Sequence, residues 1–201
     1  MSALYTHGQH KTTHKPVTHH PAAAVKVDTA LSRFTKERIR IDDYKYAHQK
    51  QQIFRVKVEG SKKLKKATDG EWPDGTQYIY SIVKDKQGRV IRLEQSPYSQ
   101  SGDWYIGYTH YFDSKGHTFC FEKVETLFDE SVKGGLVMLT TLQYFNAANK
   151  LVSEKTTLTD KNSHPLKRKI SSFNFRGEKF SVYKSADECL ESYHIDQSAI
   201  K

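Results

Sequence analysis

The 201-residue chain carries two cysteines, five prolines and 11 glycines, and each shortage removes a class of protein. Cys120 and Cys189 are too few for the disulfide framework of a small secreted scaffold, and they lack the C-x-x-C spacing of a zinc knuckle or redox site. One bridge between them stays open, provided that their Cα atoms come within about 7 Å. Cys120, between Phe119 and Phe121 in a strand-like run, reads rather as a half-buried thiol. So little glycine and proline excludes collagen-like and low-complexity chains. No apolar run approaches the roughly 18 residues that span a bilayer, and Met1 to His10 holds none that could serve as a signal sequence. The motifs H-E-x-x-H and G-x-S-x-G and phosphate-cradling glycine patterns are also missing, which disfavours zinc proteases, serine hydrolases and nucleotide-binding α/β folds. What the chain does hold is 12 tyrosines and 10 phenylalanines, too many for a wholly disordered polymer, in a length suited to one domain with a tail.

The formal net charge is +9 and unevenly placed. Residues 1–66 hold 15 Lys and Arg against 5 Asp and Glu, whereas residues 67–201 hold 17 against 18. A near-neutral body with a basic first third fits either a solvated surface or attraction to nucleic acid, anionic lipid or an acidic partner, because local cation density sets that attraction. Lys62, Lys63, Lys65 and Lys66, in the run SKKLKK, form the candidate basic surface.

Residues 1–26 contain His7, His10, His14, His19 and His20, no acidic residue and no helical or strand period, which predicts a disordered His-rich tail. Such a tract takes up metal incidentally, but without a carboxylate to orient the rings no structured metal site is expected there. Residues 27–201 read as a single domain. Leu31, Phe34, Arg38 and Ile41 recur at three- and four-residue steps and Tyr44 and Ala47 extend the stripe, predicting an amphipathic helix from about 29 to 50, with Asp28 or Thr29 placed to cap it. Ile53, Phe54, Val56 and Val58 among Arg55, Lys57 and Glu59 predict a half-buried strand. SKKLKK and the two Asp-Gly signals of Thr68 to Gly75 predict a loop. Near the end, Ser185 and Glu188 have capping-box spacing ahead of Cys189, Leu190 and Tyr193, which predicts a short C-terminal helix.

Between residues 77 and 184 one pattern recurs four times: a β-rich run, Asp or Asn, two arbitrary residues, Gly or Asn, and a second β-rich run. The turns are Asp85–Gly88, Asp113–Gly116, Asn146–Asn149 and Asn174–Gly177. Asp or Asn at the first position accepts hydrogen bonds from backbone further along the turn. Gly or Asn at the fourth tolerates the left-handed conformation that returns the chain to its partner strand. With even pairing across Asp113–Gly116, one face of that hairpin carries Tyr108, His110, Phe112, His117, Phe119 and Phe121, and the other carries Thr109, Tyr111, Thr118 and Cys120. The N-terminal helix is the expected cover for the aromatic face. The predicted fold is mainly β: a curved antiparallel meander of successive hairpins packed against an N-terminal α-helix, with a short C-terminal helix.

GDWYIGYTHYFDSKGHTFCFE and TLQYFNAANKLVSEK resemble the tyrosine-and-aspartate hairpin repeats of secreted bacterial proteins. They are also similar to small periplasmic or lipid-anchored bacterial proteins in which a helix precedes a meander of YFD-x-x-G hairpins. The resemblance covers residues 77–184. It implies a fold and a periplasmic or extracellular address, with a cytoplasmic one as the alternative, but no chemistry. Asn146 and Asn149 depart from the motif at both of its fixed positions. An exported chain would have lost its signal peptide ahead of the present Met1.

Candidates for chemistry are few. Cys120 with His110 or His117 is the only local thiol–imidazole set, and even pairing turns Cys120 away from both. Asp85, Asp113, Asn146 and Asn174 already have a turn role. Neither cofactor nor metal is expected, and no enzymatic activity. Trp72, Tyr98, Trp104, Tyr105 and Tyr108 lie near turns or in the run SGDWYIGYTHYF and are the candidate ligand-binding residues, although aromatics in strands also serve as core. The expected function is a non-enzymatic interaction module of an exported bacterial protein, binding a protein or cell-surface ligand through sheet face, open edge and exposed aromatics. The alternative is a nucleic-acid or anionic-surface binder working through residues 33–66.

Overall fold

The computed structural model describes residues 29–176 and 179–200. The His-rich tail lies outside the described residues, and with it the expectations about its order and metal affinity. Helix α1 (Thr29–Ala47) precedes strands β1 (Ile53–Val58), β2 (Lys65–Ala67), β3 (Thr76–Lys84), β4 (Val90–Pro97), β5 (Trp104–Phe112), β6 (Thr118–Phe128), β7 (Leu136–Phe145) and β8 (Leu151–Asp160), and helix α2 (Ala186–Ser192) follows. The strands form one antiparallel sheet in the order β2-β1-β3-β4-β5-β6-β7-β8, a meander except for short β2 outside β1. Part of the expected SKKLKK loop is thus an edge strand, where Lys65 and Lys66 discourage pairing with another chain.

Three of the expected turns join β3 to β4, β5 to β6 and β7 to β8. The side-chain oxygen of Asp85 accepts from the N–H groups of Gln87 and Arg89 at 2.9 and 3.0 Å, that of Asp113 from Lys115 and His117 at 2.8 and 2.9 Å, and that of Asn146 from Ala148 and Lys150, both at 3.0 Å. The fourth residue is left-handed in each case, with φ +80° at Gly88 and Gly116 and +55° at Asn149. A bulge follows every one of these turns. Lys84 pairs with Val90 but Val83 with Arg92; Phe112 pairs with Thr118 but Tyr111 with Cys120; Phe145 pairs with Leu151 but Tyr144 with Ser153. The extra residues are Ile91, Phe119 and Val152. Even pairing across Asp113–Gly116 is thereby corrected: the bulge turns Phe119 to the Tyr111 side of the sheet, where it joins Ile91 and Cys120.

The fourth expected hairpin does not form. Gly177 and Glu178 lie outside the described residues, and residues 173–176 and 179–184 belong to no strand. A fourth turn of the same chemistry is found instead at Asp160–Ser163, after β8. Asp160 accepts from the N–H groups of Asn162 and His164 at 2.8 and 2.9 Å, and Ser163 has φ +63°. Pro165 comes next and has no N–H to donate, so after the single bridge from Thr159 to Pro165 and one bond from Leu166 N–H to the Leu158 carbonyl the chain leaves the sheet.

The sheet separates two core layers. In one, Leu31, Phe34, Ile41 and Tyr44 of α1 pack on Val83, Ile91, Tyr111, Phe119, Cys120 and Tyr144. In the other, Tyr80, Ile82, Leu93 and Phe112 meet Cys189, Leu190, Tyr193 and Ile195, while Tyr108 and Phe121 stack on Phe180. The face of Tyr108, His110, Phe112 and Phe121, expected to lie beneath the N-terminal helix, is therefore covered by the C-terminal segment. Polarity explains the assignment: the α1 stripe includes Arg38 and Asp42, which need the face that presents Arg92, Tyr111 and Glu122. The C-terminal residues packed at the centre of the other, Phe180, Cys189, Leu190, Tyr193 and Ile195, are apolar or aromatic. Helix α2 starts as expected, Ser185 Oγ accepting from Glu188 N–H at 3.2 Å and Glu188 Oε2 from Lys184 N–H at 2.8 Å. Cys120 and Cys189 are free, buried in different layers, and burial raises the pKa of both thiols. Among the described residues no helix is long and apolar enough to cross a membrane.

Candidate functional site

Four of the five aromatic candidates border one groove. Trp72 from the loop before β3, Tyr98 after β4 and Tyr105 at the start of β5 meet Tyr46 of α1 and Phe54 of β1 around a cavity of about 420 Å³ on the α1 face, which neighbouring Trp104 borders at its edge. Trp72 meets Phe54 edge-on, ring centroids 5.6 Å apart. Tyr46 is 69% exposed and Tyr105 39%. Lys45 and Asp69, of opposite charge, share the lining with the polar side chains of Gln49, Gln52 and Ser99. Alternation along β5 sends the Trp104 ring to the opposite layer, where the Arg176 guanidinium lies 4.2 Å from its centroid. Tyr108 is elsewhere: it is 4% exposed and stacks on Phe180 at 5.7 Å in the C-terminal layer.

Tyr105 is held at the floor of the groove by two features that sequence reasoning did not single out. Gly107, two residues along the same face, leaves the space that the phenol occupies; a Cβ at that position would lie 2.3 Å from Tyr105 Oη. Tyr105 Oη then donates to Glu94 Oε1 at 2.6 Å. Glu94 Oε2 accepts from Arg92 Nη2 at 2.5 Å, and Arg92 Nη2 also reaches Thr109 Oγ1 at 3.3 Å. Burial pushes the Glu94 carboxyl upward, but the Arg92 guanidinium, with Lys45, outweighs it and holds the group below the usual range. Loss of solvent, together with the Glu94 charge, raises the Tyr105 hydroxyl. Lys45 is lowered, by burial first and by Arg92 second.

The ionic network continues beneath α1. Strand register puts Glu94, Thr109 and Glu122 in one cross-strand row and Arg92 beside Tyr111 in the next. Arg38 Nη1 lies 2.9 Å from Asp42 Oδ2 and 3.7 Å from Glu122 Oε1, and Arg92 Nε lies 3.7 Å from Asp42 Oδ1. Tyr111 Oη lies 2.9 Å from Asp42 Oδ1 and 3.0 Å from Glu122 Oε2. The one hydroxyl proton of Tyr111 is shared between the two carboxylates. Burial, the largest influence on Glu122, raises its pKa against the pull of Arg38 and of the hydrogen bond from Tyr111. Sequence signals for this network were Arg38 inside an apolar stripe, its i,i+4 partner Asp42, and Arg92 and Glu94 two residues apart on one strand face.

Lys62 and Lys63 are exposed in the loop after β1, and Lys65 and Lys66 are exposed on β2. Lys66 joins Lys50 and Arg55 around a depression of about 670 Å³, whereas Arg33, Lys36 and Arg40 line a separate groove beside the first half of α1. Arg38 is consumed by the buried network. In the other layer His110 is fully buried, accepting from Tyr183 N–H at Nε2 (3.1 Å), and burial holds its pKa down at about 3. Cys120 faces the opposite layer, so those two side chains do not meet. Among the described residues no three His, Cys, Asp or Glu side chains converge as metal ligands do. No family model, no curated protein and no solved structure matches this chain.

Proposed function

We propose that the chain is a non-enzymatic interaction module that seats a segment of a partner protein in the groove of Tyr46, Trp72, Tyr98 and Tyr105. The observation that carries this reading is the convergence of aromatics from α1, the loop before β3, the end of β4 and the start of β5 on one partly exposed groove. Tyrosine and tryptophan supply large contact areas with a polar tip, which is why they dominate the energetics of protein interfaces. Lys45 and Asp69 give the groove charges of both signs for orienting a peptide-like partner. Its floor is stiffened from below: Tyr105 cannot swing freely while Glu94 and Arg92 hold it. Against a hydrolytic reading stand the separation of Cys120 from His110, the neutral state that burial imposes on His110, and the engagement of Asp85 and Asp113 by turn backbone.

A photo-crosslinking residue in place of Tyr98, in cells that make the protein, tests the reading. An adduct with one protein is expected from position 98, and none from exposed Leu151, which lies in β8, three strands beyond β5. Equal adducts from both positions, or adducts from Leu151 alone, would sink it.

A further inference from the structure

A second, larger groove lies apart from the aromatic one, between the first half of α1 and the turns Asp113–Gly116 and Asn146–Asn149. Its cavity of about 1090 Å³ is slightly above the usual range for small-ligand sites. The floor is apolar. Phe34 stacks on Phe119 with centroids 6.0 Å apart, and Val152, the bulge residue of β8, is 47% exposed beside them. The rim is cationic: among the described residues Arg33, Lys36, Arg40 and Lys115 line it with two carboxylates, Glu37 and Asp113.

Both carboxylates are already engaged. Glu37 takes a two-point contact from Arg40, at 2.9 and 2.7 Å. Asp113 accepts the N–H groups of Lys115 and His117 within its own turn. Among the described residues Arg33, Lys36 and Lys115 have no carboxylate partner. A neutral apolar ligand would leave these cations unused, and an inorganic anion would leave Val152 and the exposed part of Phe34 in water. From this complementarity we infer that the groove binds a free amphiphilic anion: an alkyl or aryl body lying on Phe34, Phe119 and Val152, and a carboxylate or equivalent head group against Lys36, Lys115 and Arg33. The inference is independent of the aromatic groove and survives the failure of that reading.

Titration calorimetry of the full chain with dodecanoate below its aggregation concentration is the test, with dodecyltrimethylammonium as the cation of equal chain length. Saturable binding of dodecanoate alone is expected. Lys36→Gln with Lys115→Gln should weaken it about tenfold at low salt, since each exposed charge contact contributes of the order of 1 kcal/mol or less. Val152→Glu, which puts a carboxylate at an already exposed position, should abolish binding, and unchanged thermal melting would show that the fold is intact. Equal binding of the two amphiphiles, or indifference to both sets of substitutions, would overturn the inference. So would co-sedimentation with phosphatidylglycerol vesicles, or binding of a Glu- and Phe-rich peptide, by a chain that leaves free dodecanoate unbound; those outcomes would assign the groove to a membrane surface or an acidic protein segment.

Discussion

His110 should make the protein acid-sensitive in a range where its carboxylates remain ionised. Its ring is fully buried among Phe112, Phe121 and Tyr183, and burial lowers its pKa from an ordinary 6.5 to about 3. The folded state therefore binds fewer protons than the unfolded one between these values. A lowered folded-state pKa contributes stability that is present above 6.5 and lost as pH falls towards 3. From pH 7 to pH 5 the loss amounts to about 2 kcal/mol, because each unit of separation is worth about 1.4 kcal/mol and most of the first unit and a half is traversed. His110→Gln supplies the comparison: its side-chain oxygen can accept from Tyr183 N–H, as Nε2 does, but it does not titrate. Urea denaturation of both proteins at several pH values from 7 to 5 measures the difference, and effects of the other ionisable groups, common to both, cancel. The two stability curves should converge as pH falls, with wild type losing about 2 kcal/mol relative to the variant. Parallel curves would refute the burial of a neutral imidazole at this position.

The network beneath α1 gives an opposite pair of expectations. Arg92→Met should cost about 3–5 kcal/mol in chemical denaturation by leaving buried Glu94 without its ion-pair partner, and adding Glu94→Gln should recover part of that loss. Glu122→Gln should gain on wild type as pH rises from 4.5, because a carboxyl with a raised folded-state pKa gives stability below its ordinary value that is lost on ionisation; a difference in denaturation midpoint that stays constant between pH 4 and 8 would contradict this. Gly107→Ala should displace Tyr105 from Glu94, costing about 1–3 kcal/mol by overpacking and reducing partner crosslinking from position 98. Ser163→Gly should raise stability by about 0.5–1 kcal/mol in the same assay, since Ser163 now pays for a left-handed φ of +63°.

Turn chemistry was the most legible part of this fold. Asp85, Asp113 and Asn146 each satisfy two backbone N–H groups, and that demand is visible in the residue types and their offset. The same rule misled at Asn174, whose offset to Gly177 is correct but whose neighbours find their partners in the core rather than in a strand: Phe173 and Phe175 pack with Val132, Val137 and Leu158. It also passed over Asp160, because Ser163 does not advertise a left-handed residue as Gly does. The bulges were invisible because a one-residue insertion leaves the composition of a strand unchanged while reversing which residues face each side. The helix went to the wrong face for a different reason, because its Arg38 and Asp42 were not matched to the face that presents Arg92, Tyr111 and Glu122. Proximity to turns singled out Trp72 and Tyr98, which both border the groove, but no local signal separates Tyr105 in the groove from Tyr108 in the core, since their places depend on which layer each strand face meets.

The central claim is that the groove, and not the sheet edge or the C-terminal layer, meets the partner. Hydrogen–deuterium exchange of the chain with and without the protein crosslinked from position 98 tests it most directly. Slowed exchange is predicted in the loop 70–75 and in residues 98–103, with β8 unchanged. Slowing along β8 while both loops exchange as before would contradict the account.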